Sequence, residues 1–246
     1  MENPLYIALS RQNALRRQLD VTAHNVANMN TTGYKNQRML FVEYIAKPQG
    51  VGVQPRDQRM SMVEDLAVLR DLSAGPIAQT GNPFDLALDG DGYLVVETTS
   101  GPRYTRTGQM HLDGGRRIVN ANGLPLLGEG NQPIELPADA GAVTIRGDGT
   151  IETANGGIAG RLQVVRFERP QFMSELGGGL YASDEPAQPA EDTRVLQGAL
   201  EQSNVQAVAE MTQMTEILRQ YQSTQRLIET EHERQRSAIQ RLARTN

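Results

Sequence analysis

Apolar positions repeat with two different periods along this chain. From Pro4 to about Ala27 the spacing is helical: with Leu5 at the first core position of a heptad, the core positions read Leu5, Ala8, Gln12, Leu15, Leu19, Thr22 and Val26, five of them apolar. Proline suits a first helical turn, and the run Asn28-Met29-Asn30-Thr31-Thr32-Gly33 supplies residues that stop a helix and turn the chain. The C-terminal end carries a longer version of the same period. Its seam reads Asn204, Ala207, Met211, Met214, Leu218, Tyr221, Gln225, Ile228, His232, Gln235, Ile239 and Leu242, with eight of twelve apolar. Charges such as Glu216, Arg219, Glu229 and Arg234 fall outside that seam. Some 45 helical residues span about 70 Å, whereas a compact globule of the whole chain has a radius of gyration of roughly 18 Å. Such a helix has to bury its stripe along another long helix, either the N-terminal one or one from another copy.

Between the ends the period changes to that of short strands. Phe84-Asp85-Leu86-Ala87-Leu88, the turn Asp89-Gly90-Asp91-Gly92 and Tyr93-Leu94-Val95-Val96-Glu97 form an apolar strand, tight turn and apolar strand, the pattern of a hairpin. Turn signals recur about every ten residues through Asn155-Gly156-Gly157, which favours an all-β domain. The punctuation agrees, since 22 of 24 glycines and 11 of 12 prolines lie between residues 48 and 197. The expected fold is α+β, with long terminal helices forming a coiled-coil-like pair that frames an all-β centre. Its expected divisions are an N-terminal helix with the Asn-rich motif (1–35), an extended connecting region (36–80), a β-rich domain (81–172), an irregular return (173–197) and a C-terminal coiled-coil helix (198–246).

The 246 residues suffice for one or two domains. Their net charge of −5 divides into +3 over residues 1–47, −8 over 48–197 and zero over the remainder. That balance offers no clustered positive surface for nucleic acid. The absence of cysteine removes disulfides, thiolate metal sites and cysteine nucleophiles together. No apolar stretch approaches the roughly 20 residues of a membrane-spanning helix, and no cleaved secretory leader is expected, since the start Met1-Glu2-Asn3-Pro4 lacks the basic and apolar regions of one.

The remaining chemistry is sparse. Asp89-Gly90-Asp91-Gly92 fails as a calcium loop, because loop positions 5 and 12 hold Tyr93 and Ser100, leaving a Gly-rich turn. The histidines, His24, His111 and His232, lie in separate regions, and His232 reads as a register-setting polar seam residue. No phosphate loop, dinucleotide fingerprint or nucleophile elbow occurs, and nothing singles out a catalytic pair among the carboxylates. Neither a catalytic residue nor a cofactor or metal site is expected.

Residues 18–35 resemble the signature of the bacterial flagellar rod and hook proteins, a helix end followed by Asn-x-Ala-Asn-x-Asn-Thr-x-Gly-aromatic-Lys. Asn25, Ala27, Asn28, Asn30, Thr31, Gly33, Tyr34 and Lys35 fill it, with His24 and Tyr34 as mild departures from the more usual Asn or Ser and Phe. Thr80 to Tyr93, with Tyr104-Thr105-Arg106-Thr107-Gly108, resembles the family's β-domain. Ser203-Asn204-Val205, Glu210-Met211-Thr212 and Arg219-Gln220-Tyr221-Gln222 resemble its C-terminal helix motif. The length and the opening Leu5 to Gln12 are most similar to the proximal-rod members, with distal-rod members close by. The resemblance implies a non-enzymatic subunit exported by the flagellar type III apparatus without signal cleavage into a periplasmic rod. Its implied partners are copies of itself and other rod proteins, including the distal-rod protein. Expected assembly residues are Leu5, Leu15, Leu19, Asn25, Val26, Asn28, Thr31 and Gly33, with Met211, Met214, Leu218, Tyr221, Ile228 and Ile239. A β-rich calcium- or carbohydrate-binding module on a coiled-coil stalk is the rival reading, and it leaves the Asn-rich motif without a purpose.

Overall fold

The computed structural model describes residues 3–46 and 60–244, with side chains described for most of them. These form two compact units, each assembled from separate stretches of chain: one joins the chain ends to residues 37–71, and the other joins residues 28–36 to 72–205. Helical ends and a β-rich centre are present as the periodicity predicts.

In the first unit, helix α1 (Asn3–Ala27) packs against helix α2 (Ala207–Arg244) and against a two-stranded ribbon, β1 (Gln37–Ala46) and β2 (Met60–Arg70). The ribbon is antiparallel, with a register shift between Leu40 and Phe41, and it occupies part of what reads in sequence as a connecting region. Residues 47–59 of that region lie outside the described residues. The two helices run antiparallel: Asn25 near the end of α1 meets Glu210 near the start of α2, while Ile7 and Ala8 share a groove with Thr224 and Leu227.

Every core position assigned to α1 is at least half-buried, and Ala8, Leu15 and Thr22 are fully so. Of the two positions in the seam assigned to α2, one packs within the chain and the other does not. Met214, Tyr221, Ile228 and Gln235 do lie on the buried side, but their companions there are Glu210, Ile217, Thr224 and Glu231. Met211, Leu218, Gln225, His232 and Ile239, one residue later in each case where a companion is named, are exposed. Buried positions therefore step by four and three from 210 to 235, which is the spacing of a helix face. Only Ile217-Leu218 is apolar in both frames; the other inward companions, Glu210, Thr224 and Glu231, are polar, so the apolar period points to the frame of Met211 and Leu218 and not to the one that packs on α1. His232, exposed, fixes no register within the chain. Leu242 lies outside the residues whose side chains are described.

The second unit is all β apart from a short 3₁₀ turn at Pro170–Phe172. Strands β3 (Ile77–Gln79), β4 (Leu86–Asp89), β5 (Tyr93–Thr98) and β6 (Gly101–Thr105) open it. Its six-stranded antiparallel sheet runs Ser174–Gly177, Leu180–Ala182, β6, β5, Val164–Arg166 and Gln188–Pro189. The expected hairpin between β4 and β5 does not form: β4 pairs with Arg194–Gln197, and β5 lies between β6 and Val164–Arg166. The reason is in the β5 sequence. Leu94 and Val96 enter one apolar cluster with Met110, Ile118 and Leu126, while Tyr93 and Val95 enter another with Val165, Phe167 and Tyr181. A strand apolar on both faces has to run through the interior of a sheet with cover on each side. Residues 173–197, which read in sequence as an irregular return, contribute short strands at both edges of this sheet and the partner of β4. Ala199–Glu201 extends as the partner of β3, so α2 begins only at Ala207.

Candidate functional site

The Asn-rich motif divides between the two units at the end of α1. Within the helical unit, Asn25 is 1% exposed, and its amide behaves as a substitute strand. Its Oδ1 accepts the Gln37 N–H at 3.0 Å, and its Nδ2 donates to the Gln37 carbonyl at 2.8 Å and to Glu210 Oε2 at 3.2 Å. One side chain thus meets both backbone groups of the first residue of β1 and also ties α1 to α2.

Residues 28–36 belong to the β unit and cross it as a strap without ladder pairing of their own. The strap begins with a turn in which the Thr31 N–H donates to the Asn28 carbonyl at 3.0 Å and Thr31 Oγ1 to Asn28 Oδ1 at 3.1 Å. Gly33 follows with φ +69, and a Cβ there would stand 2.7 Å from the Arg106 carbonyl carbon and oxygen. Both facts require glycine, by backbone conformation and by space. Its N–H donates to the Glu201 carbonyl at 2.8 Å.

Glu201 is the centre of the arrangement, with its side chain 1% exposed. Lys35 Nζ donates to Oε1 at 2.6 Å and Arg106 Nη1 to Oε2 at 3.2 Å, both cations being buried. The Gly75 N–H adds a bond to Oε1 at 3.0 Å, made possible because a Cβ at Gly75 would lie 2.0 Å from the Gln202 carbonyl oxygen. Lys35 also donates to the Ser73 carbonyl at 2.7 Å, and Arg106 Nη2 to the Gly90 carbonyl at 2.8 Å with its guanidinium over the Tyr93 ring. Asn204 completes the set: its Oδ1 accepts the Asn36 N–H at 2.7 Å and its Nδ2 donates to the Ser73 carbonyl at 3.1 Å. A buried carboxylate is tolerated only where such a shell replaces water. Sequence reasoning passes over Glu201 and the role of Arg106. Arg106 lies inside the stretch Tyr104 to Gly108 quoted for the resemblance, whereas Glu201 lies two residues before Ser203-Asn204-Val205, outside every quoted stretch.

The sequence-selected assembly residues therefore separate. Asn25 and Gly33 are consumed inside the chain, Asn28 is half-buried and Thr31 exposed. Leu15 is buried, while Leu5, Leu19, Val26, Met214, Tyr221 and Ile228 are half-buried. Met211, Leu218 and Ile239 stand 48%, 40% and 66% exposed. Among the described residues, twelve of the sixteen exposed large apolar side chains belong to the helical unit, including Tyr6, Leu9, Val208 and Leu227. A groove of about 440 Å³ between α1 and α2 adds Ile7, Ala8 and Arg11 on one wall and Gln220, Thr224 and Leu227 on the other. No group of three or more His, Asp or Glu able to hold a metal occurs among the described residues.

An all-β unit and a separate unit of paired terminal helices that leaves large apolar side chains exposed define the class: a structural subunit suited to association. Three family models match in order along the chain: flagella basal body rod protein over residues 5–35, the flagellar hook protein FlgE/F/G D1 domain over 87–153, and the flagellar basal body rod FlgEFG protein C-terminal region over 196–241. A flagellar basal-body rod protein FlgF of Caulobacter vibrioides is 37% identical over 251 aligned positions that cover both chains completely. A FlgF of Mesorhizobium japonicum is 30% identical, covering 93% of this chain and 92% of its own, and a FlgG of Bacillus subtilis is 28% identical over 95% and 96%. The chain belongs to the flagellar basal-body rod protein family, as a structural subunit of FlgF type.

Proposed function

We propose that this subunit polymerises through its terminal helices, with copies of itself and with axial neighbours that include the distal-rod protein, into the drive shaft that carries torque towards the hook. The observation that carries this reading is the apolar surface left on the helical unit. At 1.5 Å per residue α2 is about 57 Å long and α1 about 37 Å. With Asn25 opposite Glu210 and Ala8 beside Thr224, the N-terminal end of α1 falls near residue 229 of α2. About 15 residues of α2, roughly 22 Å, then extend past its partner. Together with the exposed Met211 and Leu218 this supports coiled-coil-like pairing completed by helices of other subunits. Burial of each such side chain contributes about 1.5–3 kcal/mol, so a repeating lattice of modest contacts is stiff where a single contact is not. A contact between a row on one copy and a groove on the next is heterologous, the geometry of a helical filament.

Delivery by the flagellar type III export apparatus and residence in the periplasmic section of the rod belong to the same reading. The test is fractionation of purified basal bodies. The chain is expected in the rod, at its proximal end; basal bodies that hold a complete rod without this chain overturn the proposal.

A further inference from the structure

We propose that the groove between α1 and α2 is the seat for a second copy of this chain, filled by the Met211–Leu218 flank of that copy's α2. The inference rests on the rod reading and deepens it by naming the surfaces that meet. Helix geometry places them. Ile217, which is buried, marks the side of α2 that faces α1. At about 100° per residue, Leu218 and Met211 stand roughly 100° and 120° to one side of Ile217, and Ser223 and Leu227 roughly 120° and 80° to the other. Ser223 and Leu227 belong to the groove wall, with Ile7 and Arg11 facing them from α1. Row and groove therefore occupy opposite flanks of one helix.

Opposite flanks decide the kind of contact. A two-fold pair needs both halves of the contact on one face, so that each copy fills the other at once, and α2 does not offer that. Seating the row of one copy in the groove of the next leaves one row and one groove open, and addition continues. Charge decides which flank is the occupant. From Val208 to Gln225 the row flank carries Met211, Thr215, Leu218, Gln222 and Gln225 without a charged side chain. The described lining of the groove holds one charge, that of Arg11. Covering one with the other strips water from few charged groups. The other exposed apolar flanks differ: Tyr6 and Leu9 of α1 are continued by Arg16 and Asp20, and Ile239 of α2 has Arg236 beside it. Seven described residues line the groove, whereas a stable interface uses about 20–30 a side, so one contact does not hold two dilute copies together and the surfaces join where contacts repeat.

The chain has no cysteine, so introduced thiols report the contact. Leu218→Cys is combined in turn with Ile7→Cys, Ser223→Cys and Leu227→Cys, and basal bodies from each strain are oxidised and separated without reductant. Opposite flanks keep thiols at 218 and at 223 or 227 of one copy from bridging each other. A ladder of dimers, trimers and longer species is expected in at least one double variant, and none in Leu218→Cys alone. Benzoylphenylalanine in place of Ser223 identifies the occupant after irradiation, with adducts expected on residues 207–219 of a second copy. Immunoblots of the same basal bodies keep two failures apart. The chain present in the rod without a ladder in any pair overturns the groove contact and leaves the rod reading standing. Dimers from Leu218→Cys alone, or photoadducts solely to a different rod protein, overturn the contact as well. Absence of the chain from complete rods overturns both.

Discussion

Replacing Leu218 with Asp separates folding from assembly, because this side chain is 40% exposed whereas its neighbour Ile217 is 3% exposed. In the isolated chain the Asp carboxylate stays in water. The loss is part of the roughly 1.5–3 kcal/mol of leucine burial together with about 0.5 kcal/mol of helix propensity, some 2 kcal/mol in all. In the proposed rod contact the same position would be covered by another subunit, where an unpaired carboxylate would cost several kcal/mol. At 1.4 kcal/mol per tenfold, a loss of about 4 kcal/mol weakens each subunit contact roughly 1,000-fold. The assays are circular dichroism of the purified protein and electron microscopy of basal bodies from cells that carry the variant. Near-native helicity with no completed rod is expected. Ile217→Asp, by contrast, buries its charge within the chain and should lose helicity before assembly is reached. Normal flagella in the Leu218→Asp strain refute the assignment of this face to subunit contacts.

Gly33→Ala places a Cβ against the Arg106 backbone at a φ of +69, and should destabilise the β unit by more than about 2 kcal/mol in denaturant titrations. The Asp113 carboxyl titrates below its ordinary value because it accepts the Arg117 backbone N–H, then the Arg117 side chain and the Gly115 N–H. A lowered pKa in the folded state means that this turn is supported at pH above the unfolded value, near 4, and loses that support as the pH falls through the lowered one. Carboxyl NMR should show Asp113 titrating below a free aspartate, and Arg117→Ala should shift it upwards. In dilute protein, amides of α2 beyond about residue 229 should exchange faster than those near Ile217, since α1 covers only the latter. Equal protection along the whole helix contradicts the antiparallel register described above.

The division into helical ends and a β-rich centre is legible in the sequence, because the placement of glycine and proline and the period of apolar residues act locally, within a few turns of chain. The core stripe of α1 is legible for the same reason: Ala8, Leu15 and Thr22 are buried where the period puts them, although Ala14 and Asn25, off that frame, are buried too. So is the resemblance, which rests on residue identity at the Asn-rich motif. In α2 the apolar period favours the frame of Met211 and Leu218, and that Ile217 faces inwards instead follows from how α1 lies beside it. The partner of β4 is likewise decided by the tertiary fold, since Arg194–Gln197 arrives from about 100 residues away. Glu201 is the clearest case. As a residue it is one carboxylate among 29, and only the folded chain, by bringing Lys35, Gly75 and Arg106 to it, gives that burial a compensating shell.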